Sequence, residues 1–97
     1  MSKSIMPDDM PEVCWTCGKV GPTDVHHIFG AANRKWSEKY GLTVHLCREC
    51  HRRVHDNKYA MDSLHKAGEQ QYCDVYFPGD MNHGMIDFRQ IFGRNYL

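Results

Sequence analysis

Two C-x-x-C motifs constrain this chain more than any other feature of its sequence. Cys14 and Cys17 form the first pair, Cys47 and Cys50 form the second, and twenty-nine residues lie between the two pairs. Four thiolates at this spacing suit a tetrahedral zinc site better than a disulfide framework. A chain of 97 residues buries only a modest core, so a bound metal would add needed stability. We therefore predict a structural zinc that ties the two motifs together.

A zinc ion bound by four thiolates has no free coordination position, so any catalytic centre must lie elsewhere. Cys73 lies outside both motifs, and we expect it to be a small buried apolar residue. Free thiolates fit a reducing compartment. The sequence has no signal-peptide pattern and no apolar run near the ~20 residues of a membrane span. These features favour a soluble cytoplasmic protein with no membrane partner.

Four of the seven histidines form two pairs close to the cysteine motifs. His26 and His27 are adjacent, whereas His51 and His55 are four residues apart and would share one face of a helix. A lone histidine is usually a solvated or satisfied residue, but two pairs beside segments fixed by zinc favour a second metal site. Three imidazoles would leave coordination positions open for water and a phosphate oxygen. His45 is expected to be a solvated strand residue, with a side chain that points toward the same cleft as the alternative, and His65 and His83 are expected to be surface residues.

The charges are unevenly distributed although the formal net charge is zero. Residues 31–59 contain seven basic and three acidic residues, and the segments on either side are each net acidic by two. Arg52 and Arg53 lie within one helical turn of the paired histidines, where guanidinium groups can bind phosphate oxygens bidentately. A solvated charged helix face is the alternative. The pattern favours a basic patch that contacts a nucleic-acid backbone.

The chain is expected to have an α+β fold in a single domain. Residues 1–12 contain two prolines and three acidic residues without periodicity, which predicts a flexible N-terminal arm. Residues 13–97 would form the domain, with a zinc knuckle and a strand, strand, helix unit over 13–57 and accessory helices with a tail over 58–97. Predicted strands cover 25–29 and 42–46, and predicted helices cover 34–40, 50–56, 61–75 and 85–92. The apolar C-terminus would dock on this core or on a second subunit, so monomer and homodimer both stay open.

Around these motifs the chain resembles the HNH endonucleases, the ββα-metal nuclease family, and particularly small phage-type members with a four-cysteine zinc. The likeness covers residues 14–55 and rests on C-W-T-C at 14–17, H-H-I at 26–28 and L-C-R-E-C-H-R-R-V-H at 46–55. The paired histidines also resemble the nuclease domains of DNase colicins. The resemblance implies a zinc-stapled, treble-clef-like ββα core with accessory C-terminal helices. It also implies a phage or prophage protein in the bacterial cytoplasm that acts on DNA, with packaging or recombination proteins as candidate partners.

The resemblance also implies a role for each histidine. His26, His51 and His55 would bind one divalent metal (Mg²⁺, Mn²⁺, Ni²⁺ or Zn²⁺), and His27 would be the general base. Histidine suits that role because it titrates near neutral pH. The implied activity is phosphodiester hydrolysis with low sequence specificity.

One position departs from the family pattern. An asparagine usually lies nine residues before the histidine that matches His51, where it braces the loop or binds metal, and here Leu42 occupies that position. Asn33, in the loop after His27, is the candidate substitute. The departure supports an alternative from another class, a non-catalytic zinc-bound module of HNH-like fold that binds nucleic acid or protein. A purely structural zinc protein is a third interpretation, but it leaves the paired histidines unexplained.

Overall fold

The central unit of the fold is a two-stranded antiparallel sheet with a helix packed beside it. A computed structural model describes residues 3–97. Strand β1 spans Asp24–His27 and pairs with β2, Thr43–Leu46, so that His26 lies opposite Val44. Between the strands the chain forms a 3-10 turn at Ala31–Asn33 and the short helix α1, Arg34–Lys39. These elements confirm an α+β fold and both predicted strands.

Three further helices follow β2: α2 at Arg48–Asp56, α3 at Lys58–Tyr76 and α4 at Met81–Phe92. Local sequence signals mark their ends. The side chains of Asn57 and Asp80 accept hydrogen bonds from backbone N–H groups of the first turns of α3 and α4. Gly93 has a φ of 92° and ends α4 in the left-handed conformation that favours glycine. None of the described helices is long and apolar enough to cross a bilayer.

Helices α3 and α4 close over the turn that follows β1. Phe29, in that turn, lies 5.2 Å from the Phe88 ring and 4.8 Å from the Phe92 ring, measured between ring centroids. A Cβ atom on Gly68 of α3 would lie only 3.0 Å from side-chain atoms of Ile28 and Phe29, so this close approach favours glycine. The accessory helices therefore fix the end of the strand that carries the histidine pair.

The N-terminal segment differs from the flexible arm predicted for residues 1–12. Ile5 N–H donates a 2.9 Å hydrogen bond to the Gly41 carbonyl, and Met6 is 4% exposed within the core. The Asp9 carboxylate accepts from His45 N–H at 2.8 Å. The prediction was wrong for residues 3–12 because these contacts join residues far apart in sequence, which local composition does not reveal. Residues 1–2 lie outside the described part of the chain.

Ser37 ties together the two strand ends around the loop. Its hydroxyl is fully buried, accepts a 3.1 Å hydrogen bond from Phe29 N–H and donates a 2.7 Å hydrogen bond to the Leu42 carbonyl. The same carbonyl accepts from Ile28 N–H at 3.0 Å, while the Leu42 side chain is completely buried. A polar brace of the loop is therefore present, although the residue at position 42 is apolar.

Candidate metal centres

The four cysteines of the C-x-x-C motifs converge into one cluster that can bind a metal ion. Their sulfur atoms all lie within 4.8 Å of one another, and the Cys17 and Cys47 sulfurs are 3.9 Å apart. Bonds of about 2.3 Å in a zinc tetrahedron place sulfurs about 3.8 Å apart, close to this spacing. All five cysteines of the chain are free thiols rather than disulfides. The cluster is therefore compatible with structural zinc.

Local backbone geometry positions these thiols. Gly18, with a φ of +77°, lets its N–H turn back to the Cys14 carbonyl at 2.8 Å. Cys47 lies at the N-cap of α2, and its sulfur accepts a 3.4 Å hydrogen bond from Cys50 N–H. The cluster therefore joins the first knuckle to the first turn of α2 and fixes where that helix begins.

The electrostatics of the cluster favour a bound cation. Burial raises the pKa of Cys14, but backbone N–H groups of Cys17, Cys47 and Thr16 outweigh that effect and lower the pKa to about 6. Burial raises the pKa of Cys50 to about 12, and hydrogen bonding and charge from the neighbouring thiols add to the increase. Several thiolates this close repel one another unless a divalent cation neutralises them.

Three histidines form a second cluster on the other side of the β1–α2 contact. Ligand nitrogens of His26, His51 and His55 can all lie within 4.8 Å of one another. The ring centroids of His51 and His55 are 5.0 Å apart on one face of α2, as their spacing predicted. The His26 ring projects from β1, with its centroid 5.1 Å from that of His51 and 5.4 Å from that of His55.

His26 is the most buried member of this cluster, with 4% exposure. Burial lowers its pKa to about 4, and the nearby His51 and His55 contribute to the same shift. The imidazole is therefore neutral at neutral pH, which is the form that binds metals. Its buried Nε2 has no hydrogen-bond partner. A buried, neutral and unpaired nitrogen beside two further imidazoles fits a metal-ligand set.

Carboxylates lie next to two of the histidines. Asp24 is two residues before His26 on the same face of β1, and its Oδ2 lies 3.3 Å from His51 Nδ1. That contact favours the tautomer that leaves His51 Nε2 free for a metal. His27 projects from the opposite face of β1, where its Nε2 lies 3.5 Å from Glu38 Oε2 of α1 but makes no hydrogen bond.

A cleft of about 390 Å³ adjoins the histidine cluster. His26, His27 and His55 all line it, so the end of β1 brings both adjacent histidines to one cavity although they project from opposite faces of the strand. The lining is completed by the following residues: Ile28, Phe29, Gly30, Ala31, Asn33, Met61, His65 and Tyr96. We call this cavity the histidine cleft.

Asn33 lines the histidine cleft, but its side chain is already engaged. Its Nδ2 donates a 3.0 Å hydrogen bond to the Phe92 carbonyl at the end of α4. Asn33 thus braces the loop against α4, which is one of the two roles expected of the family asparagine. Ser37 provides the other brace of this loop, between Phe29 and Leu42.

The two arginines of α2 lie outside the histidine cleft, although they are close to His51 in the sequence. Neither Arg52 nor Arg53 is among the residues that line the histidine cleft. Arg52 lies in a shallow depression with Cys47 and Lys19, and Arg53 lines a groove with Trp15. On a helix, residues one and two positions after His51 are turned about 100° and 200° away from it, which accounts for this placement. Both side chains lie on the side of α2 that adjoins the cysteine cluster.

His65 and His45 also differ from the solvated surface residues expected. The His65 ring is half-buried, lines the cleft and stacks on Phe29 at 5.2 Å between centroids. His45 lies outside the cleft, and its Nδ1 is 2.8 Å from the Asp9 carboxylate. Some residues beside the histidines were not predicted from the sequence. Asp24 could have been, because it lies two positions before His26 in a strand and therefore on the same face. His65, Glu38 and Ser37 could not have been, because their partners are distant in sequence.

Replacing one thiol should remove the first metal and with it the fold. We expect Cys47→Ser to yield little folded protein, because structural zinc contributes on the order of 10 kcal/mol in finger peptides, comparable to the stability of a small domain. Cys73→Ala, at a buried thiol outside the cluster, is the matched control and should remain folded with its zinc. Metal analysis and thermal melting provide the readout. Well-ordered, zinc-free Cys47→Ser with an unchanged melting temperature would contradict the assignment.

Replacing one histidine should remove the second metal without removing the fold. His55 is exposed, so His55→Ala should keep a wild-type melting profile and the cysteine-bound metal while binding one metal fewer per chain. His83→Ala is the control, because His83 is exposed on α4 and pairs with Asp80 instead. Native mass spectrometry counts the bound metals. Two metals bound to His55→Ala as tightly as to wild type would refute the second site.

Comparisons with protein-family models, with curated proteins and with solved structures found no match to this chain. The case for its function therefore rests on the geometry of the two clusters and the cleft beside them.

Proposed function

We propose that this protein is a metal-dependent DNA endonuclease of the HNH type that hydrolyses phosphodiester bonds with low sequence specificity. The observation that carries the proposal is the convergence of His26, His51 and His55 beside a cleft that His27 also lines. Three imidazoles with open coordination positions and a fourth imidazole whose Nε2 has no hydrogen-bond partner match the needs of phosphate-ester hydrolysis.

His26, His51 and His55 would hold one divalent metal, Mg²⁺, Mn²⁺, Ni²⁺ or Zn²⁺. When bound there, the metal supplies charge neutralisation at the phosphate and at the leaving oxygen. The buried His26 fixes the position of this set relative to the strand, while Asp24 fixes the ring orientation of His51. The more exposed His55 leaves the set open towards the substrate.

His27 would act as the general base. Its Nε2 is buried and has no hydrogen-bond partner, and the ring lies at the wall of the cleft rather than within the three-histidine set. Imidazole can take a proton from an attacking water near neutral pH. The Glu38 carboxylate, 3.5 Å from Nε2, would stabilise the imidazolium that forms.

The proposed fold is a zinc-stapled, treble-clef-like ββα core made of β1, β2 and α2, with α3 and α4 as accessory helices. The cysteine cluster supports this arrangement because it anchors the first turn of α2, from which His51 and His55 project. DNA would be bound mainly through its backbone, with Arg52 and Arg53 contacting phosphates beside the cleft rather than within it. We further propose a phage or prophage protein acting in the bacterial cytoplasm, with packaging or recombination proteins as candidate partners.

The alternative is a non-catalytic module of the same fold that binds nucleic acid or protein. Leu42 at the usual asparagine position favours it. The hydrogen bonds of Ser37 and Asn33 weaken that argument, since they brace the loop without a polar residue at position 42. A binding module also gives no reason for an unpaired buried nitrogen on both His26 and His27.

Cleavage assays on paired alanine variants test the proposal. Metal-stripped protein is incubated with plasmid while magnesium, manganese, nickel or zinc is restored in turn. His27→Ala should keep metal and DNA affinity but lower the rate by ~10²–10⁴-fold, the usual contribution of a positioned base. His26→Ala should instead lose metal affinity, with part of the rate restored at high metal concentration.

His83→Ala is the control in this assay and should cut like wild type. Absence of cleavage with every metal, despite intact metal binding and DNA binding, would favour the non-catalytic module. A His27→Ala variant that cuts at the wild-type rate would remove His27 from the role of base.

A further inference from the structure

The C-terminal segment, residues 94–97, is bound by a buried carboxylate. Glu69 of α3 has no exposed surface. Its Oε1 accepts hydrogen bonds from the backbone N–H groups of Tyr96, at 2.5 Å, and Leu97, at 3.3 Å. Its Oε2 accepts from Asn95 Nδ2 at 2.9 Å. These three donors to the buried carboxylate all belong to the C-terminal segment.

Apolar docking of a Tyr-Leu terminus does not require a buried carboxylate. Burying a charged group costs free energy unless hydrogen bonds replace its water, and apolar contacts alone would have been sufficient to cover the core. The Asn95 amide donates in addition to the Met85 carbonyl at 2.8 Å. These directional bonds fix the backbone position of residues 95–97, beyond simply covering an apolar surface.

The fixed segment forms one wall of the histidine cleft. The Tyr96 ring lines that cavity together with His26, His27 and His55. Its centroid lies 4.5 Å from that of His65 and 5.2 Å from that of Phe29. A change in the position of the C-terminal segment would therefore change the shape of the cleft itself.

Arg94 places a positive charge beside this wall. Its guanidinium carbon lies 4.6 Å from the Tyr96 ring centroid, and the side chain is exposed. No lysine or arginine is among the residues lining the cleft. A nucleic-acid strand that enters the cleft needs cationic contacts, and stacking on an aromatic ring keeps a guanidinium in place for that purpose.

We propose that residues 94–97 are a substrate-binding element, in which Arg94, supported by the Tyr96 ring, contacts a backbone phosphate of the strand in the histidine cleft. Glu69 is the positioning residue that holds this element against the cleft. The proposal rests on the proposed function, since it takes nucleic acid as the occupant. It assigns a cationic contact beside the cleft wall to residues 94–97 rather than to Arg52 or Arg53.

Salt-dependent binding of the zinc-loaded full chain tests the Arg94 contact. Fluorescence anisotropy is measured on two duplex oligonucleotides of unrelated sequence, with His27→Ala as the background so that the DNA stays intact. Arg94→Ala should weaken both affinities on the order of tenfold, the effect of one charge-assisted hydrogen bond. It should also reduce the salt slope by about 0.9, the value of one phosphate contact on duplex DNA.

Arg89→Ala is the matched control, because Arg89 is exposed on α4 and lines a different cavity, with Met85 and Gln90. It removes the same charge and should change neither the affinity nor the slope. Equal effects of both variants would indicate general electrostatic attraction and overturn the proposal. No effect of Arg94→Ala on DNA that wild type binds would overturn it as well.

The aromatic support is tested by a pair of variants at Tyr96. Tyr96→Phe keeps the ring and should bind like wild type, whereas Tyr96→Leu should reproduce part of the Arg94→Ala loss. The double variant Arg94→Ala, Tyr96→Leu should bind DNA no more weakly than Arg94→Ala alone, since both changes remove the same contact.

Glu69→Gln should lower both the melting temperature and the DNA affinity, with metal content unchanged. If Glu69→Gln and Tyr96→Leu lower the melting temperature but leave DNA affinity at the wild-type level, the role of residues 94–97 is purely structural.

The two proposals fail in distinguishable ways. If Arg94→Ala changes neither cleavage nor DNA binding, the nuclease assignment stands and the C-terminal contact is refuted. If DNA binding depends on Arg94 but no metal supports cleavage, the C-terminal contact stands and the non-catalytic module is favoured. Absence of any nucleic-acid binding by wild type would overturn both.

Discussion

The convergence of the two C-x-x-C motifs into one cluster is the constraint on which the rest of the structure depends. The four sulfurs join a turn near the start of the chain to the first turn of α2, and Cys47 is also the N-cap of that helix. Because β2 runs directly into Cys47, the same cluster fixes the direction of α2 relative to the sheet. The direction of α2 in turn determines where the His51 and His55 side chains point. A metal at the cysteines would thus stabilise the fold and orient the second cluster without taking part in chemistry.

Burial determines the chemical properties of His26 in the second cluster. His26 lies at the middle of β1, opposite Val44, where little water reaches it, so it remains neutral and its Nε2 is unpaired. An unpaired buried nitrogen is unfavourable in a core, and binding a cation would remove that cost. His51 and His55 are more exposed and add ligands from the solvent side. A set with one buried and two accessible imidazoles is anchored on one side and open on the other.

The sequence predicted the features that depend on local spacing. The C-x-x-C pairs, the H-x-x-x-H spacing and the strand, strand, helix order each follow from periodicities within a few residues, and the observed elements match them. The cleft could not be predicted in the same way, because its walls come from β1, the loop, α3 and the C-terminus. His65 resembles a surface residue in sequence, yet α3 carries it onto Phe29. The packed segment at residues 3–9 and the bonds of Glu69 likewise depend on contacts between distant residues.

The position of Arg52 and Arg53 illustrates a further limit. Proximity in sequence to His51 suggested proximity to the cleft, but helical geometry turns these side chains towards the cysteine cluster. Arg94, more than forty positions later in the chain, instead lies beside Tyr96 of the cleft wall. Counting basic residues along a sequence locates a basic segment, and the fold decides which of its members reach a given cavity.

Titration of the metal-free protein with cobalt(II), followed by absorption spectroscopy, tests the central claim most directly. Thiolate and imidazole ligands give different spectra, since only thiolates produce intense ligand-to-metal charge-transfer bands. Two sites of different chemistry predict charge-transfer bands that saturate at one equivalent, followed by weaker visible bands that saturate at a second. Saturation of all spectral change at one equivalent, with thiolate bands alone, would contradict a metal site at His26, His51 and His55.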